Sequence, residues 1–286
     1  MKKPNLLIDG SNLLYRVYHV SQISNTNLIH MFMNSVKKLY NDFLPGDVYI
    51  AWDSKLKPHE KSFRRSTETY KSTRDKSKWE DVYEHEKTIR EMCKLIGVCN
   101  IHPGSLEADD VIYYLSKKLK PNIVISSDHD LLQTITDDTC VYNPVSKVTY
   151  NNKTFESLIP VPIELYVKYK ALIGDKSDNI PGIKGVGPKT AVKYLNEGIK
   201  ESLSSEDYDI FLENMKLVDL STATSNHPGE EQIYEYQLIS FQDNDQSNFD
   251  KFKEMCQDVN YPEKSISKFD IFFQDEINNA LLSILK

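Results

Sequence analysis

The chain has 286 residues, 40% hydrophobic and 27% charged, enough for one large domain or two smaller ones and too apolar for wholesale disorder. No apolar run approaches the roughly 20 residues that span a bilayer, and Asp9 interrupts the N-terminal apolar run too early for a signal peptide. The net charge of −7 argues against a polyanionic partner only until its distribution is considered. Lys55 to Lys78 holds nine Lys/Arg against three acids, a basic window in an otherwise acidic chain.

In chain order, NLLIDG (Asn5 to Gly10) reads as a buried strand, followed by helical spacing of Leu13, Leu14 and Val17. DVYIAWD (Asp47 to Asp53) is a second strand, and Val82, Ile89, Met92 and Leu95 make a helix of Asp81 to Leu95. GSLEADDVI (Gly104 to Ile112) opens a helix with the stripe Ala108, Val111, Ile112, Leu115 and Leu119, and Ser105 is its N-cap candidate. NIVISSD (Asn122 to Asp128) is a third apolar strand, and a short CVYNP strand follows at Cys140. Strands alternating with helices imply a largely parallel sheet covered on both faces. Beyond about residue 155 the pattern turns helical, with Pro160 and Pro162 at the junction. NHPGEEQ (Asn226 to Gln232) reads as an exposed loop, and the tail DEINNALLSILK as an amphipathic helix that packs or docks a partner. Cys93, Cys99, Cys140 and Cys256 show no CxxC pair and no zinc spacing, and read as free thiols of a reducing cytoplasm.

Asp9, Asp53 and Asp128 each close a strand, and Asp130 follows two residues later. Ligands of open parallel sheets sit outside the carboxyl ends of the strands, so these acids point at one crevice. Each alone reads equally well as a turn or N-cap residue, and acids in a first helical turn complement the helix dipole. Together with Glu107, Asp109 and Asp110 they would repel one another strongly unless cations neutralise them. Glu107 and Asp110 share a helix face, while Asp109 is offset from Asp110 by about 100°. Ligation by oxygen alone points to Mg²⁺ or Mn²⁺, and His129, inside SSDHD, reads as a solvent-side residue.

A second acidic pair, Asp175 and Asp178, lies in GDKSDNIPGIKGVGPKTA. Gly182, Gly185 and Gly187 with Pro188 describe a tight hairpin leading into a helix, over 174–195. Backbone amides at such a helix start suit a phosphate, and Lys184, Lys189 and Lys193 add positive charge.

IDGSNLLYR, the EADD helix, SSDHDLLQ and GDKSDNIPGIKGVGPKTA, in this order over about residues 5 to 195, resemble the 5′→3′ exonuclease and flap endonuclease family, with the phage-type members, including those described as ribonuclease H, nearest in feel. The resemblance implies an α/β fold: a PIN-like parallel-sheet nuclease domain (1–155) with a helical arch at about 55–80, and a helical region (156–286) with a helix-hairpin-helix-type DNA-binding element at 174–195. It implies two neighbouring metal sites for two Mg²⁺ or Mn²⁺ ions. Asp9, Asp53, Glu107, Asp109 and Asp110 supply one side, Asp130, Asp175 and Asp178 the other, and Asp128 is shared. K⁺ on the carbonyls of Gly182 to Gly187 is implied as well. FRRSTETYKSTR matches the family's arch pattern, so Lys71 and Arg74 reach the scissile phosphate, and Arg64 and Tyr70 join Gly182, Gly185, Gly187 and Lys189 on DNA. Tyr15 either stacks a base near the cut or packs in the core.

The implied activity is metal-dependent 5′→3′ exonucleolytic and flap-endonucleolytic cleavage of branched or nicked DNA, extending to RNA primers in replication. The partners are 5′-flap DNA, nicked duplex and RNA–DNA hybrid, with replication proteins docking on the C-terminal region. A monomer without membrane contact, in the cytoplasm of a bacterial or phage-infected cell, is expected. Two other classes share part of this pattern. A PIN-type ribonuclease on single-stranded RNA needs neither the glycine hairpin nor the basic arch. A non-catalytic DNA-binding factor leaves nine gathered carboxylates beside a polyanion without explanation.

Overall fold

NLLID forms β1 (Asn5–Asp9), buried along its whole length. A strand covered on both faces needs a continuous apolar run rather than an alternating one. Its side chains still divide by the period of two: Leu6 and Ile8 enter one core, Leu7 the other. The structure is a computed structural model and describes residues 2–55, 79–224, 226–243 and 247–273. The basic window at 56–78, with the expected arch and with Arg64, Tyr70, Lys71 and Arg74, lies outside the described residues, as does the tail from 274.

After β1 come α1 (Gly10–Ser24), α2 (Leu28–Phe43), β2 (Val48–Ala51), α3 (Trp79–Leu95), β3 (Cys99–Ile101), α4 (Ala108–Lys118), β4 (Asn122–Ile125), β5 (Thr139–Asn143) and β6 (Val148–Tyr150). They build one sheet in the order β3-β2-β1-β4-β5-β6, parallel throughout except for the antiparallel β5–β6 edge. The order reverses at β1: the chain winds out through β2 on one side and through β4 on the other. A crevice therefore opens at the carboxyl end of β1. One face of the sheet packs Phe32 and Val36 of α2, Ile89 and Met92 of α3, and Trp52. The other packs Val111, Ile112 and Leu115 of α4.

The remainder is helical: α5 (Phe155–Leu158), α6 (Tyr166–Ile173), α7 (Pro188–Glu197), α8 (Ile199–Ser202), α9 (Ser205–Val218), α10 (Glu230–Asp243), α11 (Phe249–Asp258) and α12 (Glu263–Ile266). α6 packs on α7 and α9, α10 on β3, and α11 on α3. Phe252 and Phe269 thus enter the same core as β1, so the last described helices complete the sheet domain rather than extend away from it. The NHPGEEQ stretch corrects the sequence expectation, because α10 begins inside it and Glu230 is buried. All four cysteines are free, and three of them, Cys93, Cys99 and Cys256, are buried. No helix among the described residues is long and apolar enough to cross a membrane.

Candidate active site

Asp9 ends β1 and caps α1. Its Oδ1 accepts the Asn12 N–H (2.9 Å), and its Oδ2 accepts the Ser126 hydroxyl (3.0 Å). Asp53, two residues beyond β2, accepts the N–H of Ala108, the first residue of α4 (2.9 Å). Asp128, beyond β4, accepts the Asp130 N–H (2.8 Å), while its own N–H donates to Ser126 Oγ (3.0 Å). Capping and ligand holding therefore do not compete here. Each strand-terminal aspartate is fixed by a backbone donor, and that bond sets the direction of its carboxylate.

At the start of α4, Glu107 rather than Ser105 is the N-cap. The Asp110 carboxylate reaches back to the Glu107 N–H (3.0 Å), and Asp109 accepts the Asp110 N–H (2.9 Å). One carboxylate oxygen from each of Glu107, Asp109 and Asp110 lies within 4.8 Å of the others, and all three residues are buried. A crevice of about 920 Å³ is walled by Asp9, Asp53, Glu107, Asp109, Asp128 and Asp175. Asp110, Asp130 and Asp178 are buried and do not line it.

Burial, and then the charges of Asp53 and Asp128, push the Asp9 carboxyl up to about 7, against the hydrogen bonds from Asn12 and Ser126. Such a concentration of negative charge, built from oxygen donors alone, fits a hard divalent cation. His129 is exposed, its ring edge-on to Tyr150. Tyr15 is 47% exposed and lines the crevice, so it is not a core residue.

The second group differs from the bare carboxylate set expected from sequence. Lys170 of α6 is buried, with Nζ 2.9 Å from Asp130 Oδ1 and in contact with Asp175. Burial alone would favour the neutral amine, but Asp130 and Asp175 outweigh it and hold the ammonium charged. Burial likewise raises Asp175, yet Lys170 and the Ser177 hydrogen bonds dominate and bring it down to about 2. The sequence carried one sign of this: a lysine among Tyr166, Tyr169, Ala171 and Leu172, all buried in the same short helix. Asn12 was also missed; its Oδ1 accepts the Ser127 hydroxyl at 2.8 Å and ties α1 to the loop after β4.

The predicted hairpin joins α6 to α7. Asp175 and Ile180 exchange backbone hydrogen bonds (2.9 and 2.8 Å), and a Cβ on Gly182 would lie 2.3 Å from the Ile173 carbonyl oxygen, a spacing only glycine permits. Gly185 has φ 78, whereas Gly187 has φ −98 and precedes Pro188 at the first turn of α7. Of these two glycines it is Gly185 that takes the positive φ, as Gly174 and Asn179 do earlier in the stretch. Lys184, Gly185 and Lys189 are exposed.

The comparisons with known proteins agree with this geometry. Residues 4–159 match the family described as 5′-3′ exonuclease, N-terminal resolvase-like domain, and residues 161–222 match its C-terminal SAM fold. A 5′-3′ exonuclease of Aquifex aeolicus is 30% identical over 67% of this chain and 68% of its own length. The thermostable DNA polymerase I of Thermus thermophilus is 32% identical over 67% of this chain, which spans only 24% of that polymerase. Among solved structures, the bacteriophage T5 flap endonuclease in complex with DNA and metal ions superposes with a TM-score of 0.68 at 19% identity, covering 84% of this chain and 99% of that one. At that identity the likeness bears on the fold. The matching family spans more than half of the chain, and its sheet carries the acidic crevice: the chain belongs to the 5′-3′ exonuclease family and is a nuclease, a hydrolase of phosphodiester bonds.

Proposed function

We propose that this nuclease is a divalent-metal-dependent, structure-specific 5′ nuclease that acts on 5′-flap and nicked DNA and extends to the RNA strand of RNA–DNA hybrids. The observation that carries it is the cluster of Glu107, Asp109 and Asp110, with carboxylate oxygens within 4.8 Å, beside a crevice lined by Glu107 and Asp109 and by Asp9, Asp53 and Asp128. In this reading Asp9, Asp53, Glu107, Asp109 and Asp110 hold one Mg²⁺ or Mn²⁺, Asp130, Asp175 and Asp178 serve a second, and Asp128 is shared. Bound divalent cations supply acidification of water and charge neutralisation at the phosphate.

The chain's own groups do the remaining work. The hydrogen bonds from Asn12, Ala108 and Asp130 keep three carboxylates aimed at the crevice. Lys170 holds Asp175 ionised and opposes, without cancelling, the burial that raises Asp130 to about 6. Lys71 and Arg74 act on the phosphate as fixed cations, and Arg64 and Tyr70 contact the strand beside it. The hairpin with Gly182, Gly185, Gly187 and Lys189 holds duplex phosphates through backbone amides and charge, and its carbonyls take K⁺.

The chain divides functionally into a nuclease part (1–155) and a helical DNA-binding part (156–286), of which α10 and α11 also pack against the nuclease part. Replication proteins dock on the helical part, and the enzyme acts as a cytoplasmic monomer. The test is cleavage of 5′-labelled flap, nicked duplex and RNA–DNA hybrid in Mg²⁺, Mn²⁺ or EDTA, with product lengths mapped. Metal-dependent products from the 5′ end are expected; cleavage confined to single-stranded RNA would overturn the reading.

A further inference from the structure

We propose that Glu230 and Gln237 of α10 are positioning residues that hold Glu107, Asp109 and Asp110 in their metal-binding arrangement. The proposal rests on the metal site described above. Glu230 is buried, and its carboxylate accepts the N–H groups of Gly104 (2.9 Å) and Ser105 (2.5 Å) and the Ser105 hydroxyl (2.8 Å). Two turns on, the Gln237 side-chain amide accepts the His102 N–H (2.9 Å) and donates to the His102 carbonyl (2.8 Å). α10 thus grips the backbone of residues 102–105, the link between β3 and α4, much as an added strand would.

The opposite side of that link is held by the residue after Asp53. Ser54 donates its hydroxyl to the Gly104 carbonyl (2.7 Å) and its N–H to the Leu106 carbonyl (3.2 Å). The next residue is Glu107. The acidic end of α4 is therefore clamped between the Asp53 turn and α10, and the clamp fixes its carboxylates relative to Asp53. Gly104 belongs to the same device, since a Cβ there would come within 2.9 Å of Glu230 Oε1. On the next turn of α10, the Tyr234 ring packs on Tyr114 of α4 at 5.3 Å between centroids.

A helix that merely covered the sheet would need only an apolar face, because burying a carboxylate carries a large desolvation cost unless donors offset it. Here three donors offset it, and they come from the short link that delivers the metal-holding acids. Metal ligands tolerate only about 0.5 Å of displacement, and residues that orient them alter metal affinity by roughly 10–100-fold. Both family matches end by residue 222, so α10 lies beyond them and its role is set by this chain's own contacts.

The experiment measures Mn²⁺ binding to the full-length protein by electron paramagnetic resonance, and in parallel the Mg²⁺ concentration giving half-maximal single-turnover cleavage. Glu230→Ala is expected to weaken Mn²⁺ binding by about 10-fold and to raise the Mg²⁺ requirement in step. Gln237→Ala should do the same to a smaller degree, with duplex affinity in EDTA unchanged. A purely structural α10 would lower the melting temperature and leave Mn²⁺ affinity at the wild-type value, and that result overturns the proposal. If Glu230→Ala does not fold by circular dichroism, Glu230→Gln and Gln237→Ala decide: weakened Mn²⁺ binding in both supports the clamp, wild-type binding in both overturns it. If the wild-type chain neither binds Mn²⁺ nor needs metal, the metal reading itself fails. Wild-type metal dependence with unaffected variants removes the clamp alone.

Discussion

The Lys170 ammonium lies 2.9 Å from Asp130 Oδ1 and also contacts Asp175, so one buried cation joins a carboxylate of the β4 side of the crevice to one of the hairpin. Asp130 is as buried as Lys170 and screening by water between them is weak, whereas Asp175 is half-buried at the edge of the crevice.

Lys170→Met should therefore expose the repulsion between Asp130 and Asp175. Breaking a buried ion pair by removing one partner costs about 3–5 kcal/mol. Denaturant unfolding in EDTA is expected to register a loss of that order, with Mg²⁺ restoring part of it by returning positive charge. An unchanged unfolding midpoint in EDTA would mean that Lys170 does not hold these elements together.

Asp9 gives a pH dependence with a defined sign. Its carboxyl is pushed up from 3.8 to about 7 in the folded protein, by burial first and by Asp53 and Asp128 after it. The folded state then binds more protons than the unfolded one between those values, so this contribution to stability is present below about 3.8 and is lost as pH rises through about 7. Metal-free protein should lose melting temperature over this window, and Mg²⁺ should restore it most strongly at its upper end. Calorimetric titration near pH 6.5 in buffers of different ionisation enthalpy should show proton release on Mg²⁺ binding, because the cation displaces the Asp9 proton. Absence of proton release would contradict the assigned environment of Asp9.

In the hairpin, Gly185 and Gly187 should respond differently. Gly185→Ala forces a side chain into a left-handed conformation, at a cost of about 1 kcal/mol, and should weaken duplex binding. Gly187→Ala meets open space at a negative φ and should be close to neutral. Lys189→Ala should reduce the slope of log affinity against log salt by about one unit, the mark of one lost phosphate contact. Filter binding or fluorescence anisotropy across a salt series checks all three. Equal effects at Gly185 and Gly187 would mean that the turn conformation is not what presents the backbone to DNA.

The long or strongly patterned elements were legible in the sequence. β1, β2 and β4 are unbroken apolar runs because the sheet is covered on both faces, and the acids at their carboxyl ends declare the crevice. α4 was legible from its stripe, though its cap was not: Ser105 fits the N-cap preference, but its hydroxyl and N–H are taken by Glu230, and Glu107 caps instead. β3 and β6, each three residues long, are too short to carry a period of their own. Lys170 and Glu230 stayed hidden for a common reason. Each is a charged residue with a partner on a distant segment of the chain, Asp130 for Lys170 and the 104–105 link for Glu230, and local pattern does not encode that distance. The glycines of the hairpin marked a turn without fixing which of them takes the positive φ, and Gly185 is the one that does among Gly182, Gly185 and Gly187.

If the acidic crevice holds the divalent cations that assist phosphodiester hydrolysis, single-turnover cleavage of a 5′-labelled flap by wild type and Asp128→Asn will show it. The substitution replaces a carboxylate by an amide with little change of shape at the residue proposed to be shared by both groups of carboxylates. At saturating enzyme and Mg²⁺ the rate should fall by at least ~10³, with the Asp128→Asn fold intact by circular dichroism and wild-type activity abolished in EDTA. Near-wild-type turnover by Asp128→Asn, or full wild-type turnover in excess EDTA, would contradict the account.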